Sequence, residues 1–182
     1  MSKIHEAIAK MCGIAAEAVT DETATSVRLL QLLVDVRYGL TGLRYGRVAS
    51  SLMFDGDADA LLLIGDEALR AKKEGIRGLP HVADLGEEWF RWHGVPFVFA
   101  RWAVRHALRQ DVKDILEVTL QNSLKTNTLN KLILADEAAS ARRMSPASVV
   151  NYWDGFAYEL TPDHDRSIAI FSQLLEKECL TA

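Results

Sequence analysis

The run Ala58-Asp-Ala-Leu-Leu-Leu-Ile64 limits the fold of this chain more than any other segment. It is short for a helix, and its apolar side chains fall on both faces of an extended strand. A strand buried on both faces belongs to a parallel sheet covered by helices. The rest of the first hundred residues agrees. Ala15 to Thr20 is a second short apolar run, stopped by Asp21, and residues 43–48 read as a third. Residues 80–85 and 96–102 read as two more strands, the second rich in aromatic residues. Helical segments separate the strands. Leu29, Leu30, Leu33 and Val36 recur at helical spacing until Gly39 stops them. Residues 67–73 follow Gly65-Asp66 as a helix, and 86–94 form a short helix closed by Gly94. Residues 3–11 suggest one further short helix at the start. Strands alternating with helices over 15–102 predict an α/β unit with a mostly parallel sheet.

The character changes after Arg105. Residues 109–142 read as helix, with Val112, Ile115, Leu116, Val118, Leu129, Leu132 and Ile133 as its apolar positions. Ser145-Pro146 and Thr161-Pro162-Asp163 each place a hydroxyl cap before a proline, which marks a helix start. The expected division is therefore an α/β lobe over 1–103 and a helical part over 104–182.

Composition narrows the class. Hydrophobic residues make up 49% and charged residues 25% of the 182, which excludes a disordered or collagen-like chain. Lys and Arg number 21 against 25 Asp and Glu, a net charge of -4, which argues against nucleic acid or an anionic membrane as partner. Cys12 and Cys179 form no CxxC pair and read as free thiols of a reducing compartment, with a disulfide between them as the alternative. The N-terminal residues lack the apolar core of a secretory signal, and the run 60–64 is too short to span a bilayer. The expectation is a cytoplasmic protein that binds a small molecule.

Two places could hold that molecule. Thr23-Ala-Thr-Ser26 lies after a strand and before a helix. Free N–H groups at a helix start, with hydroxyls beside them, suit a carboxylate or phosphate, although a hydroxyl there also serves as a plain cap. Gly65-Asp66 follows the most buried strand, at the strand end where open α/β sheets bind ligands. There Asp66 is either a site residue or the cap of the next helix. Elsewhere the bland reading prevails. Glu87 and Glu88 complement a helix dipole, and Trp89, Phe90 and Trp92 read as packing. The histidines at 5, 81, 93, 106 and 164 stand at no metal-ligand spacing. No GxGxxG, GxxxxGK[ST] or GxSxG occurs.

The blocks Asp21-Glu-Thr-Ala-Thr-Ser-Val-Arg-Leu-Leu30, Asp59-Ala-Leu-Leu-Leu-Ile-Gly-Asp-Glu-Ala-Leu69, Asp84-Leu-Gly-Glu-Glu-Trp89, the segment 94–105 and Asn151-Tyr-Trp-Asp-Gly-Phe-Ala-Tyr-Glu-Leu160 together resemble the chorismate dehydratase family of menaquinone biosynthesis by the futalosine route. The resemblance implies a fold like type II periplasmic binding proteins, in which two α/β lobes enclose a cleft. This chain would supply one three-layer α/β lobe, the family's second, plus the helical C-terminal portion of the other. It implies a lyase that removes water from chorismate to give 3-[(1-carboxyvinyl)oxy]benzoate, with no metal or organic cofactor. A substrate carboxylate would sit on Thr25, Ser26 and the Val27 N–H, with Gly65 and Asp66 opposite. The base remains unassigned. The related naphthoate synthase family carries a His-Glu pair where this chain has Gly65-Asp66, which favours the dehydratase. The family's first-lobe strand and its Ser-Tyr-Leu-Asn-type segment have no counterpart here, so the chain reads as a truncated form. Val149, Val150, Tyr152, Trp153 and Phe156 would then present an apolar face and invite self-association. The alternative is a non-catalytic module that binds a small anion or solute with the same fold.

Overall fold

A computed structural model describes residues 17–19, 24–47, 59–142 and 144–179. The helix expected over 3–11, Cys12, Asp21 and Thr23 lie outside them, as does the side chain of Cys179. Three short strands, β1 (Glu17–Val19), β2 (Tyr45–Arg47) and β3 (Ala60–Leu62), form a parallel sheet in the order β2-β1-β3. Glu17 pairs with Tyr45 on one side and with Ala60 on the other, and Val19 with Arg47 and Leu62. Leu62 is buried and its two predecessors half-buried, as a covered parallel strand requires.

Seven helices accompany the sheet among the described residues. They are α1 (Ala24–Leu32), α2 (Gly65–Glu74), α3 (Leu85–His93), α4 (Gln110–Leu129), α5 (Lys131–Arg142), α6 (Pro146–Asp154) and α7 (Pro162–Cys179). Helix α1 runs on as a π-helical turn, Leu33–Arg37, in which the Tyr38 N–H donates to the Leu33 carbonyl at 3.0 Å. Gly39 then takes φ +64, a conformation that ends the helix and favours glycine. Helix α3 starts on Asp84, whose carboxylate accepts from the Gly86 and Glu87 N–H groups at 2.9 and 3.1 Å. It ends on Gly94 in the left-handed conformation.

The chain divides into two compact units, Met1–Phe99 with Pro162–Ala182, and Ala100–Thr161. The sequence had kept 104–182 in one piece, but α7 packs with the first unit instead. The reason is one side chain. Trp89 is fully buried with Leu29 and Leu33, and Ile170, Phe171 and Leu174 of α7 close over this cluster. The Trp89 indole N–H donates to Ser167 Oγ at 2.9 Å, so its polar atom is satisfied inside the core. Phe97 and Phe171 meet the indole edge-on at 5.2 and 5.8 Å. Each large side chain so buried stabilises the unit by about 1.5–3 kcal/mol.

Two expected strands do not form. Residues 80–85 and 96–102 join no ladder among the described residues. Leu85 and Phe97 instead pack against the Trp89 core, while Trp102 is 84% exposed. The helix expected over 109–142 is broken at Asn130, whose backbone N–H and side-chain amide both reach the Thr126 carbonyl.

The second unit has a small core, Ala135, Ala139 and Val149, with Ala138, Met144, Val150 and Trp153 against it. Ser145 caps α6 through the Ser148 N–H at 3.2 Å, ahead of Pro146 at the first helical position. The apolar face expected on α6 is therefore mostly used: only Tyr152 and Phe156 remain exposed. Helix α4 is the exposed one. None of its residues is buried, and Ile115, Leu116, Val118 and Leu129 face solvent.

Candidate functional site

The carboxyl edge of the sheet gathers the residues that the sequence singled out. β1 is central. The chain leaves it for β2 on one side, and β3 lies on the other. Strand order thus reverses between β1 and β3, the point where open α/β sheets hold ligands. Val19 and Leu62 are register partners at that edge. Helix α1 begins at Ala24, five residues beyond Val19, and α2 begins at Gly65, three beyond Leu62. Both helices therefore start from neighbouring ends of paired strands.

Thr25 and Ser26 occupy the start of α1, where backbone N–H groups lack partners within the helix, and Val27 follows as its fourth residue. Thr25 and Val27 are half-buried, and Ser26 is 8% exposed. The first turn of α1 carries no acidic residue, which leaves its positive dipole end uncompensated within the helix. Gly65 and Asp66 open α2. Gly65 takes φ +58, and a Cβ added there would meet nothing within 4 Å. Backbone conformation, not space, favours glycine at this position. The cap of α2 is Ile64, which offers no side-chain acceptor. Asp66 is therefore not the cap, as one reading of the sequence had it; it is an exposed first-turn carboxylate. The two helix starts differ in charge. One is suited to an anion, and the other carries an acceptor.

A second polar cluster had no local signature among the residues. Glu88, read as a helix-dipole partner without function, is 3% exposed. Its carboxylate accepts from Tyr38 Oη and Arg91 and lies 3.3 Å from Arg37, and its main-chain carbonyl also accepts from Arg37. Burial and the Glu88 carboxylate push the Tyr38 phenol up to about 12. Nearby, His93 lies 4.2 Å from both Trp89 and Trp92, and its buried Nε2 has no partner among the described residues. Burial first, then the Arg37 charge, pushes the His93 pKa down. Only the fifty-residue separation between Tyr38 and Glu88 hid this cluster, since no local pattern links the two. Among the described residues no three His, Cys, Asp or Glu groups stand together to hold a metal ion.

The fold and this edge define an α/β protein with helix N-termini gathered at the switch point of a parallel sheet. The chain belongs to the menaquinone biosynthesis family, whose profile matches residues 4–177. It is similar to the chorismate dehydratase of Thermus thermophilus, at 32% identity over 177 residues, which cover 89% of this chain and 63% of that relative. The family read from the sequence blocks is thus borne out. The chain spans less than two thirds of the length of the curated relative it matches.

Proposed function

We propose that the chain binds chorismate and takes part in its dehydration, as a lyase of menaquinone biosynthesis acting in the cytoplasm. The observation that carries this reading is the pairing of two helix starts across the β1/β3 switch point, in a chain similar to a chorismate dehydratase. Chorismate is a cyclic dicarboxylate with one ring hydroxyl. One carboxylate rests on the start of α1 beside Val27, where the Thr25 and Ser26 hydroxyls and backbone N–H groups give charge-assisted hydrogen bonds. Gly65 and Asp66 line the other side, and Asp66 accepts from the substrate hydroxyl. In the reaction a ring C–H bond and the C–O bond of that hydroxyl break, the ring becomes aromatic, and the proton leaves with the hydroxyl as water. The elimination needs a base at the ring proton and a donor at the leaving oxygen. In the full fold of type II periplasmic-binding-protein character, the facing lobe supplies the rest of the cleft. Residues 1–103 then correspond to the family's second lobe, with α7 packed on it, and α4–α6 to part of its first.

The test is a chorismate-loss assay beside calorimetry. Binding with turnover, abolished or weakened at least tenfold by Ser26→Ala, supports the reading. Binding without turnover moves the chain to a solute-binding module. Absence of binding, or an unaffected Ser26→Ala variant, removes the carboxylate assignment.

A further inference from the structure

The Glu88 cluster sits at the far end of the helix whose first turn forms the candidate site. Helix α1 carries Thr25–Val27 at its start and passes through the π-helical turn to Arg37 and Tyr38 at its end. Leu29 and Leu33 pack on Trp89 and fix which face of α1 points inward. Apolar contacts of this kind are non-directional and tolerate sliding along the helix axis. Hydrogen bonds to a buried carboxylate do not, because each has a narrow range of length and angle. Arg37 grips Glu88 twice, at the carboxylate and at the main-chain carbonyl, and its guanidinium lies 5.1 Å from the Tyr38 ring centre. Tyr38 donates to the same carboxylate, and Arg91 of α3 holds it from the other side. The π-helical turn matters because the wider turn changes the angular phase of the residues after Leu33 relative to a regular helix. Arg37 and Tyr38, adjacent in sequence, then both reach one carboxylate. The raised pKa of Tyr38 agrees, since a phenol that donates to a buried carboxylate resists ionisation.

We infer that Glu88 is a positioning residue: through Arg37 and Tyr38 it sets the axial placement of α1 and so the direction of the Thr25 and Ser26 donors at its start. The inference rests on the proposed anion site at that first turn. It assigns a task to a buried acid that otherwise serves only the core.

The experiment compares Glu88→Gln, Tyr38→Phe and Ser167→Ala by amide NMR and by chorismate calorimetry. Ser167→Ala is the control. It removes the Trp89 partner in the same unit but leaves the Arg37–Glu88–Tyr38 contacts intact. Glu88→Gln shifts the amide signals of Thr25, Ser26 and Val27 and weakens chorismate binding about tenfold, the size of a helix-terminus interaction with an anion lost in a partly buried site. Tyr38→Phe, which leaves no buried charge bare, produces smaller changes of the same sign. Ser167→Ala lowers stability but moves neither reading. The inference falls if Glu88→Gln and Tyr38→Phe leave those amides in place, or if Ser167→Ala moves them equally. Should the parent chain not bind chorismate at all, the proposed function fails while the amide comparison still decides the positioning role.

Discussion

The two units solve the burial problem differently. The first encloses an indole ring with aromatic and aliphatic side chains from α1, α3 and α7 and satisfies its N–H internally. The second relies on alanine and valine between α5 and α6, and leaves most of the apolar side chains of α4 in solvent. Large side chains contribute more burial per residue, so the first unit has the larger core on which a helix face is fixed. The second unit carries surface of the kind that partners cover. A site that depends on aimed N–H groups belongs with the first.

The contrast breaks most directly at Trp89. Trp89→Ala leaves a large cavity and should cost about 3–5 kcal/mol, enough to unfold the first unit, as read by urea denaturation. If stability fell by less than about 1 kcal/mol, the indole would not be the keystone of that unit. Ser167→Ala strands the indole N–H and should cost about 1–2 kcal/mol in the same measurement. In the second unit Ser145→Ala removes the α6 cap for about 1 kcal/mol. Hydrogen exchange should report that loss in α6 while α1 and α3 keep their protection.

A pH titration sharpens the contrast further. The folded pKa of His93 lies below its ordinary 6.5, so the unfolded chain takes up the proton first. Stability is therefore full above about 6.5 and declines as the pH falls below that value towards the folded pKa. His93→Phe should flatten this decline; an unchanged slope would point to another group. For Tyr38 the sign is opposite, with stability kept below 10 and lost as the pH rises to about 12. The smallest expected effect is at Ile115→Ser on α4, within about 0.5 kcal/mol for an exposed side chain. A loss above 1 kcal/mol, or a change in sedimentation, would show that a partner covers this helix in solution.

Much of this was legible in the residues. The run 58–64 announced a covered parallel strand because seven residues of that composition leave few alternatives. The caps Ser145-Pro146 and Gly94 were readable because each acts locally. The strands expected over 80–85 and 96–102 failed because strand formation depends on an available neighbour, and Phe97 had a better one in Trp89. The proposed site at Thr25–Val27 and Gly65–Asp66 was suggested by strand ends and glycine, but the switch point between β1 and β3 emerged only from the β2-β1-β3 order. Glu88 was missed because a surface glutamate and a buried one look alike until distant Arg37 and Tyr38 fold onto it.

The central claim is that one ligand meets both helix starts at the β1/β3 edge. Titrating chorismate into isotopically labelled protein tests it in one measurement. The account predicts that the amides of Thr25, Ser26, Val27, Gly65 and Asp66 shift together and saturate at the same ligand concentration. Shifts confined to one helix start, or to residues away from this edge, would contradict it.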